Sequence, residues 1–318
     1  MKDKVDSARG ERVRVAVVGL GRWGRHHVRI YHELPEADLR AVVSPNPAEL
    51  EEFSHRYRIA GYLDHRELIG KVDAVSVVAP TSHHYEIARD LVEAGIHVLV
   101  EKPITGRVEE AEELIARARR KGVLLLVGHV ERFKPAVETL LHRVRDPLFI
   151  RARRVRPFQA GRATDVGVVV DLMIHDLDLV LSLTGSSLRS ISAVGTRLWG
   201  DGEDLAAVQL VFEGGCTASL FASRVDSAKA AEMEVVTPEE RWHLDFLRES
   251  LTVWRGNRRE ELLLLREEPL RAELRHFLAC VRGEQTPRVP GEAGLAALVL
   301  AHRVLQAMHV VTPRVRTP

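Results

Sequence analysis

Cysteine is nearly absent from this chain: Cys216 and Cys280 are the only two in 318 residues, and neither sits in metal-ligand spacing. That excludes a disulfide framework and suits a reducing, cytoplasmic compartment. Long apolar runs are missing too. No segment approaches the roughly 20 residues of a membrane helix, and the N-terminus has no apolar signal core. Net charge is close to nil, at +1, which gives no pull towards nucleic acid or a membrane surface. Lysine is scarce, at seven of the 46 basic residues, so a lysine inside a motif stands out. Neighbouring histidines occur at His26–His27 and His83–His84, but no H-x-x-x-H spacing does, so no metal site is expected.

What is present is 45% hydrophobic content and a length that suits two domains. The organising stretch is Val13–Gly24. Val13, Val15, Val17 and Val18 form a β-branched run that reads as a buried parallel strand. Gly19, Gly21 and Gly24 follow in the order G-x-G-x-x-G, and a helical pattern starts at Arg22. Strand, glycine turn and helix together form the context in which this motif cradles a dinucleotide. The glycines permit the tight turn and the close approach of backbone to pyrophosphate, and the helix N-terminus meets the anion. Arg22 and Trp23 lie inside this turn.

Short apolar strands then alternate with helices as far as Val127, which predicts a parallel, doubly wound sheet. Ligands of such sheets bind at the carboxyl ends of strands. Gly19–Gly24, Ser44, Pro80–Thr81, Glu101–Pro103 and Gly128–Arg132 all fall at such ends. Ser44 stands where the adenosine ribose is met. It brings no carboxylate, and no arginine follows it to clamp a 2′-phosphate, so the cofactor is NAD or NADP, with NAD slightly favoured. After about Leu148 the pattern changes to a helix over 165–184, a run of strands without intervening helices, and two closing helices. That implies an antiparallel sheet. The expected division is a loose tail over 1–11, a dinucleotide-binding domain over 12–130 and a substrate and oligomerisation domain over 131–318.

Three features carry candidate chemistry. Lys102 ends a buried strand beside Glu101 and before Pro103, where a lysine can hold a substrate hydroxyl or shuttle its proton. Asp171 and His175, four apart, share one helix face. Histidine titrates near neutrality and suits a general base, although the same pair also reads as a helix-surface pair or a core histidine satisfied by an acid. Arg151, Arg153, Arg154 and Arg156 alternate with apolar residues, as a polar sheet face does. The alternative is a fork for a substrate diphosphate built from Arg153, Arg154 and Arg156 with Arg132.

The set Gly19–Gly24, Ala79-Pro80-Thr81-Ser82-His83-His84, Glu101-Lys102-Pro103 and Asp171-x-x-x-His175 resembles the Gfo/Idh/MocA oxidoreductase family over nearly the whole chain. The resemblance implies an α/β fold: an N-terminal Rossmann domain, then a C-terminal domain with a large, mostly antiparallel sheet that joins homodimers or homotetramers. It also implies Lys102 as catalytic lysine, His175 as acid/base group and Asp171 as its partner, with Pro80, Thr81, His84 and Glu101 near the cofactor. The stretches 128–136 and 164–178 are similar to members that oxidise the 3-hydroxyl of UDP-N-acetylglucosamine. A dehydrogenase of a free sugar or cyclitol, and a non-catalytic Rossmann sensor or scaffold, are the alternatives.

Overall fold

The computed structural model describes residues 12–159, 166–199 and 201–311. The expected loose tail over 1–11 lies outside them, as do Gly200 and the start of the helical stretch over 165–184.

The chain divides into two compact units, residues 1–130 with 268–295, and residues 131–267 with 296–318. The first begins with β1 (Val13–Val18), α1 (Arg22–Glu33), β2 (Ala37–Val43), α2 (Pro47–Tyr57) and β3 (Ala60–Tyr62). It continues with β4 (Ala74–Val77), α3 (Thr81–Glu93), β5 (His97–Glu101), α4 (Val108–Lys121) and β6 (Leu125–Gly128). The six strands pair in parallel in the order β3-β2-β1-β4-β5-β6. This is the doubly wound dinucleotide-binding order, with its crevice between β1 and β4.

Local sequence accounts for much of this unit. α2 opens with Asn46, whose side chain accepts from the Ala48 amide, and with Pro47 in its first turn. α4 carries Glu109 and Glu110 at its positive end and Arg119, Arg120 and Lys121 at its negative end. It closes on Gly122 in the left-handed region. The strands β1, β4 and β6 bury nearly every side chain, as a sheet covered on both faces requires.

In the second unit come α5 (Pro135–Arg143), β7 (Phe149–Val155), a π-helical turn (Val169–Met173) and α6 (Ile174–Thr184). Then follow β8 (Leu188–Thr196), β9 (Leu205–Phe212), β10 (Thr217–Ser223), β11 (Ala230–Val236), β12 (Arg241–Asp245), β13 (Ser250–Arg255) and β14 (Arg258–Leu262). The last strand is β15 (Met308–Val311). The nine strands run in the order β14-β13-β12-β11-β7-β10-β9-β8-β15. Only β7–β10 and β8–β15 pair in parallel. Along β9, β10 and β11 every second residue is buried, so one sheet face builds the core with Met173, Leu177 and Val180 of the helical segment.

One boundary differs from expectation. α7 (Pro269–Val281) belongs to the first unit, where Leu270, Leu274, Phe277 and Leu278 join the core of β1 and α1. The segment 268–295 thus groups with the first unit, inside the stretch 131–318 expected for the second domain. An amphipathic helix declares that it has an apolar face, but not which core receives it.

Candidate active site

The glycine turn is built from close approach. Gly19 has φ +96°, and a Cβ there would lie 2.7 Å from the Val78 carbonyl group. A Cβ on Gly24 would collide with the Gly19 carbonyl oxygen. Around Gly21 the space is open, with nothing within 4 Å of a Cβ position. α1 starts on Gly21 with no side-chain cap and no acid in its first turn. Its first amides and positive dipole end therefore face outward, and the cradle fits a pyrophosphate. Arg22 and Trp23 are exposed at this turn.

At the end of β2, Ser44 is buried, and its hydroxyl donates to Glu49 Oε2 at 2.7 Å. A carboxylate thus stands beside Ser44, supplied by the first turn of α2 rather than by the strand. Sequence reasoning looked at position 44 and overlooked position 49. The signal was an acid in the turn that follows Asn46-Pro47.

β5 delivers Glu101 and then Lys102, whose peptide bond to Pro103 is cis. Glu101 is half-enclosed. Its Oε1 accepts from His27 Nε2 at 3.2 Å and its Oε2 from the Lys102 amide at 3.2 Å. Burial alone would raise this carboxyl. The His27 bond and the Lys102 charge outweigh it and hold the group below the usual range, so Glu101 is an anion beside the lysine. Gly128 makes room, since a Cβ there would press on the Glu101 carboxyl at 3.0 Å.

His84, expected near the cofactor, is held between two backbone carbonyls. It is buried, and its two ring nitrogens lie 2.9 Å from the Pro103 carbonyl and 2.8 Å from the Ala79 carbonyl. Burial lowers its pKa, so the neutral ring donates to one of the two. The side chain braces the Lys102–Pro103 turn against the end of β4. Pro80 and Thr81 stand at the α3 start, with no side-chain cap over its amides.

In the second unit Asp171 sits inside the π-helical turn and His175 on the first turn of α6. The expected uninterrupted α-helix is corrected. A π-turn widens the ladder locally and is a frequent feature of functional sites. Glu203 holds the start of this segment: its Oε1 accepts from the Val169 amide at 2.8 Å, and its carboxyl fills the space beside Gly167.

The arginines of β7 divide by depth. Arg154 is buried, forked onto Asp176 at 2.8–3.2 Å, with Glu131 at 3.3 Å and the Phe246 ring 4.6 Å below its guanidinium. Arg132 is bonded to Asp178, at 2.5 and 2.7 Å. These two, expected on a substrate diphosphate, are bonded to interior carboxylates. A buried carboxylate is a stronger partner than a surface position would allow. They fix Asp176 and Asp178, the residues flanking His175 and one turn on, and so the rotation of its helix. Arg153 pairs with Asp226 at 3.0 Å and stays half-exposed. Arg156 donates from Nη2 to Asp171 Oδ2 at 3.2 Å. Among the described residues no cluster of acids, histidines and cysteines could hold a metal ion, and no helix is long and apolar enough to cross a membrane.

Comparison with known proteins agrees with this geometry. Residues 13–129 match the oxidoreductase family model with the NAD-binding Rossmann fold, and residues 144–241 match the GFO/IDH/MocA C-terminal domain. UDP-N-acetylglucosamine 3-dehydrogenase of Acidithiobacillus ferrooxidans is 33% identical over 95% of this chain and 99% of its own. The chain belongs to the GFO/IDH/MocA oxidoreductase family. The solved structure of that relative superposes with a TM-score of 0.90, at 34% identity, over 94% of this chain and 98% of the other. scyllo-Inositol 2-dehydrogenase (NAD(+)) of Bacillus subtilis is 28% identical over 90% of this chain and 93% of its own. A 3-ketoreductase from Actinomadura kijaniata, solved with NADP, shares the fold at TM-score 0.86 and 20% identity over 95% and 100% of the two chains. This member of the family is therefore an oxidoreductase whose first unit is a NAD-binding Rossmann domain.

Proposed function

We propose that this enzyme oxidises a secondary hydroxyl of a nucleotide sugar, the 3-hydroxyl of UDP-N-acetylglucosamine, to the 3-keto sugar. What carries the reading is the whole-length similarity to the Acidithiobacillus enzyme, which runs through both units. Lys102 and the Asp171–His175 pair supply the chemistry. The Lys102 ammonium donates to the carbinol oxygen and favours its alkoxide character, while Glu101 fixes the turn from which the lysine projects. His175 accepts the hydroxyl proton, and Asp171, held by Arg156, orients that exchange. When bound, the nicotinamide accepts the hydride from the carbinol carbon. The presence of Lys102, Asp171 and His175 in one chain speaks against a non-catalytic sensor.

The Gly19–Gly24 turn with Arg22, Trp23, Pro80 and Thr81 forms the proposed cofactor contact. Glu49, anchored on Ser44, favours NAD, because its charge accepts from ribose hydroxyls and repels a 2′-phosphate. The commitment of Arg132 and Arg154 to interior acids leaves Arg153 and Arg156 for the diphosphate. That thinner set of cations also favours a second reading, a dehydrogenase of a free sugar or cyclitol. The proposed setting is cytoplasmic, with copies joined through the open face of the nine-stranded sheet.

The test is a panel of UDP-sugars, free sugars and inositols with NAD and NADP, read at the reduced-nicotinamide absorbance. UDP-N-acetylglucosamine with NAD is expected to lead. Lys102→Ala and His175→Ala are each expected to lower kcat by about 10²- to 10⁴-fold. Wild-type turnover by Lys102→Ala would remove the mechanism.

A further inference from the structure

Aromatic side chains are few here, 5% of residues, and Trp242, Phe212, Phe246 and Phe277 are spent in the interior. Phe158 and Trp199 are used otherwise. They are 37% and 57% exposed, yet their rings meet at 4.5 Å between centroids. Val166 and Leu198 are exposed as well.

The backbone beneath is firmly held. The amides of Leu198 and Trp199 donate to Asp204 Oδ2 at 2.6 and 2.8 Å. Asp204 is fully buried and paired with Arg224, which also donates to the Val166 carbonyl at 2.7 Å. One interior ion pair thus ties Trp199 to the chain that leads into the Asp171–His175 segment. On the other side Phe158 stands two residues beyond Arg156, a reach of at most about 7 Å.

Arg156 supplies the second observation. Its side chain is 10% exposed, with Nη2 on Asp171 and Nη1 near the Pro157 carbonyl. Its Nε is buried and has no hydrogen-bond partner among the described residues. A cationic donor left so is costly, and an anionic ligand would satisfy it. The second unit therefore presents, side by side, an acid and imidazole, a cation with a spare donor, and a pair of exposed rings. A nucleotide sugar has the same succession: hexose, diphosphate, base.

Resting on the nucleotide-sugar reading, we propose that Phe158 and Trp199 are the stacking platform for the substrate's nucleobase, with the Arg156 Nε–H turned to its diphosphate. Every base presents a π-face, so such a platform grips strongly without reading much sequence.

The test uses the full-length protein and UDP as probe, followed by titration calorimetry and by tryptophan emission. Trp199→Ala and Phe158→Ala are each expected to weaken UDP binding about tenfold and to raise KM for the UDP-sugar, with NAD affinity unmoved. Trp199→Phe is expected to restore most of the affinity and to abolish the quenching that UDP causes in the wild type. If the wild type binds UDP and both alanine variants bind it equally well, the platform falls while the nucleotide-sugar reading stands. If an alanine variant changes the particle mass in light scattering, the patch is a contact between copies and the proposal is overturned. If the wild type binds no UDP and turns over only free sugars, the parent reading falls and takes the platform with it.

Discussion

The two units hold their ligand-facing groups by opposite means. In the first, the cradle is made of backbone. Gly19 and Gly24 let strand, turn and helix close on each other, and the offered groups are amides. In the second, the helix with Asp171 and His175 is held by side-chain charge. Arg156 grips Asp171, Arg154 grips Asp176 and Arg132 grips Asp178. A backbone cradle keeps its shape as long as the sheet survives. An ion-paired scaffold is only as good as each pair, because a buried charge that loses its partner has no water to replace it.

Breaking one pair in the second unit tests that contrast most severely. Asp176→Asn leaves Arg154 buried with a diminished partner and is expected to cost roughly 3–5 kcal/mol by urea unfolding. The half-exposed Arg14–Asp73 pair of the first unit is the control, and Asp73→Asn is expected to cost less than about 1 kcal/mol. Equal losses would erase the distinction between the units.

A pH experiment sharpens it. Glu273 of α7 is a buried carboxyl in the first unit, and among the described residues it has no ion partner and both its oxygens lack hydrogen bonds. Burial, and then the nearby Glu101 charge, push its pKa well above the ordinary glutamate range. The folded state therefore holds this proton more tightly than the unfolded chain does. The associated stability is complete below the unfolded pKa and drains away as pH rises towards the raised value. Glu273→Gln lacks that falling limb. Its urea midpoint is expected to gain on the wild type between pH 5 and pH 8, and parallel pH curves would show that Glu273 does not titrate in this way.

The smallest effect belongs to cofactor choice, where the first unit does use a charge. Glu49→Gln is expected to narrow the preference for NAD over NADP by about tenfold in the ratio of kcat/KM. An unchanged ratio would return the ribose site to Ser44 alone.

Much of the architecture was legible. The valine run of β1, the three glycines, the Asn46-Pro47 start of α2 and the Gly122 stop of α4 are local signals. β3, β14 and β15, which no strong sequence pattern announces, are all sheet edges. An edge strand has one neighbour and a weak inward face. β14, Arg258–Leu262, shows no apolar alternation at all and exists because β13 pairs with it. The π-turn at Val169–Met173 was hidden for a related reason, since its cause includes Glu203, which lies 34 positions from the amide it accepts.

The residue sequence by itself determined the glycine turn, the parallel strand runs and the positions of Lys102, Asp171 and His175, because each depends on neighbours within a few residues. Only the tertiary structure decided that Arg132 and Arg154 pair with interior acids and that His84 braces a turn. Those outcomes depend on distance in space. The Arg132–Asp178 and Arg154–Asp176 partners are 46 and 22 positions apart in the chain, and no spacing rule reaches that far.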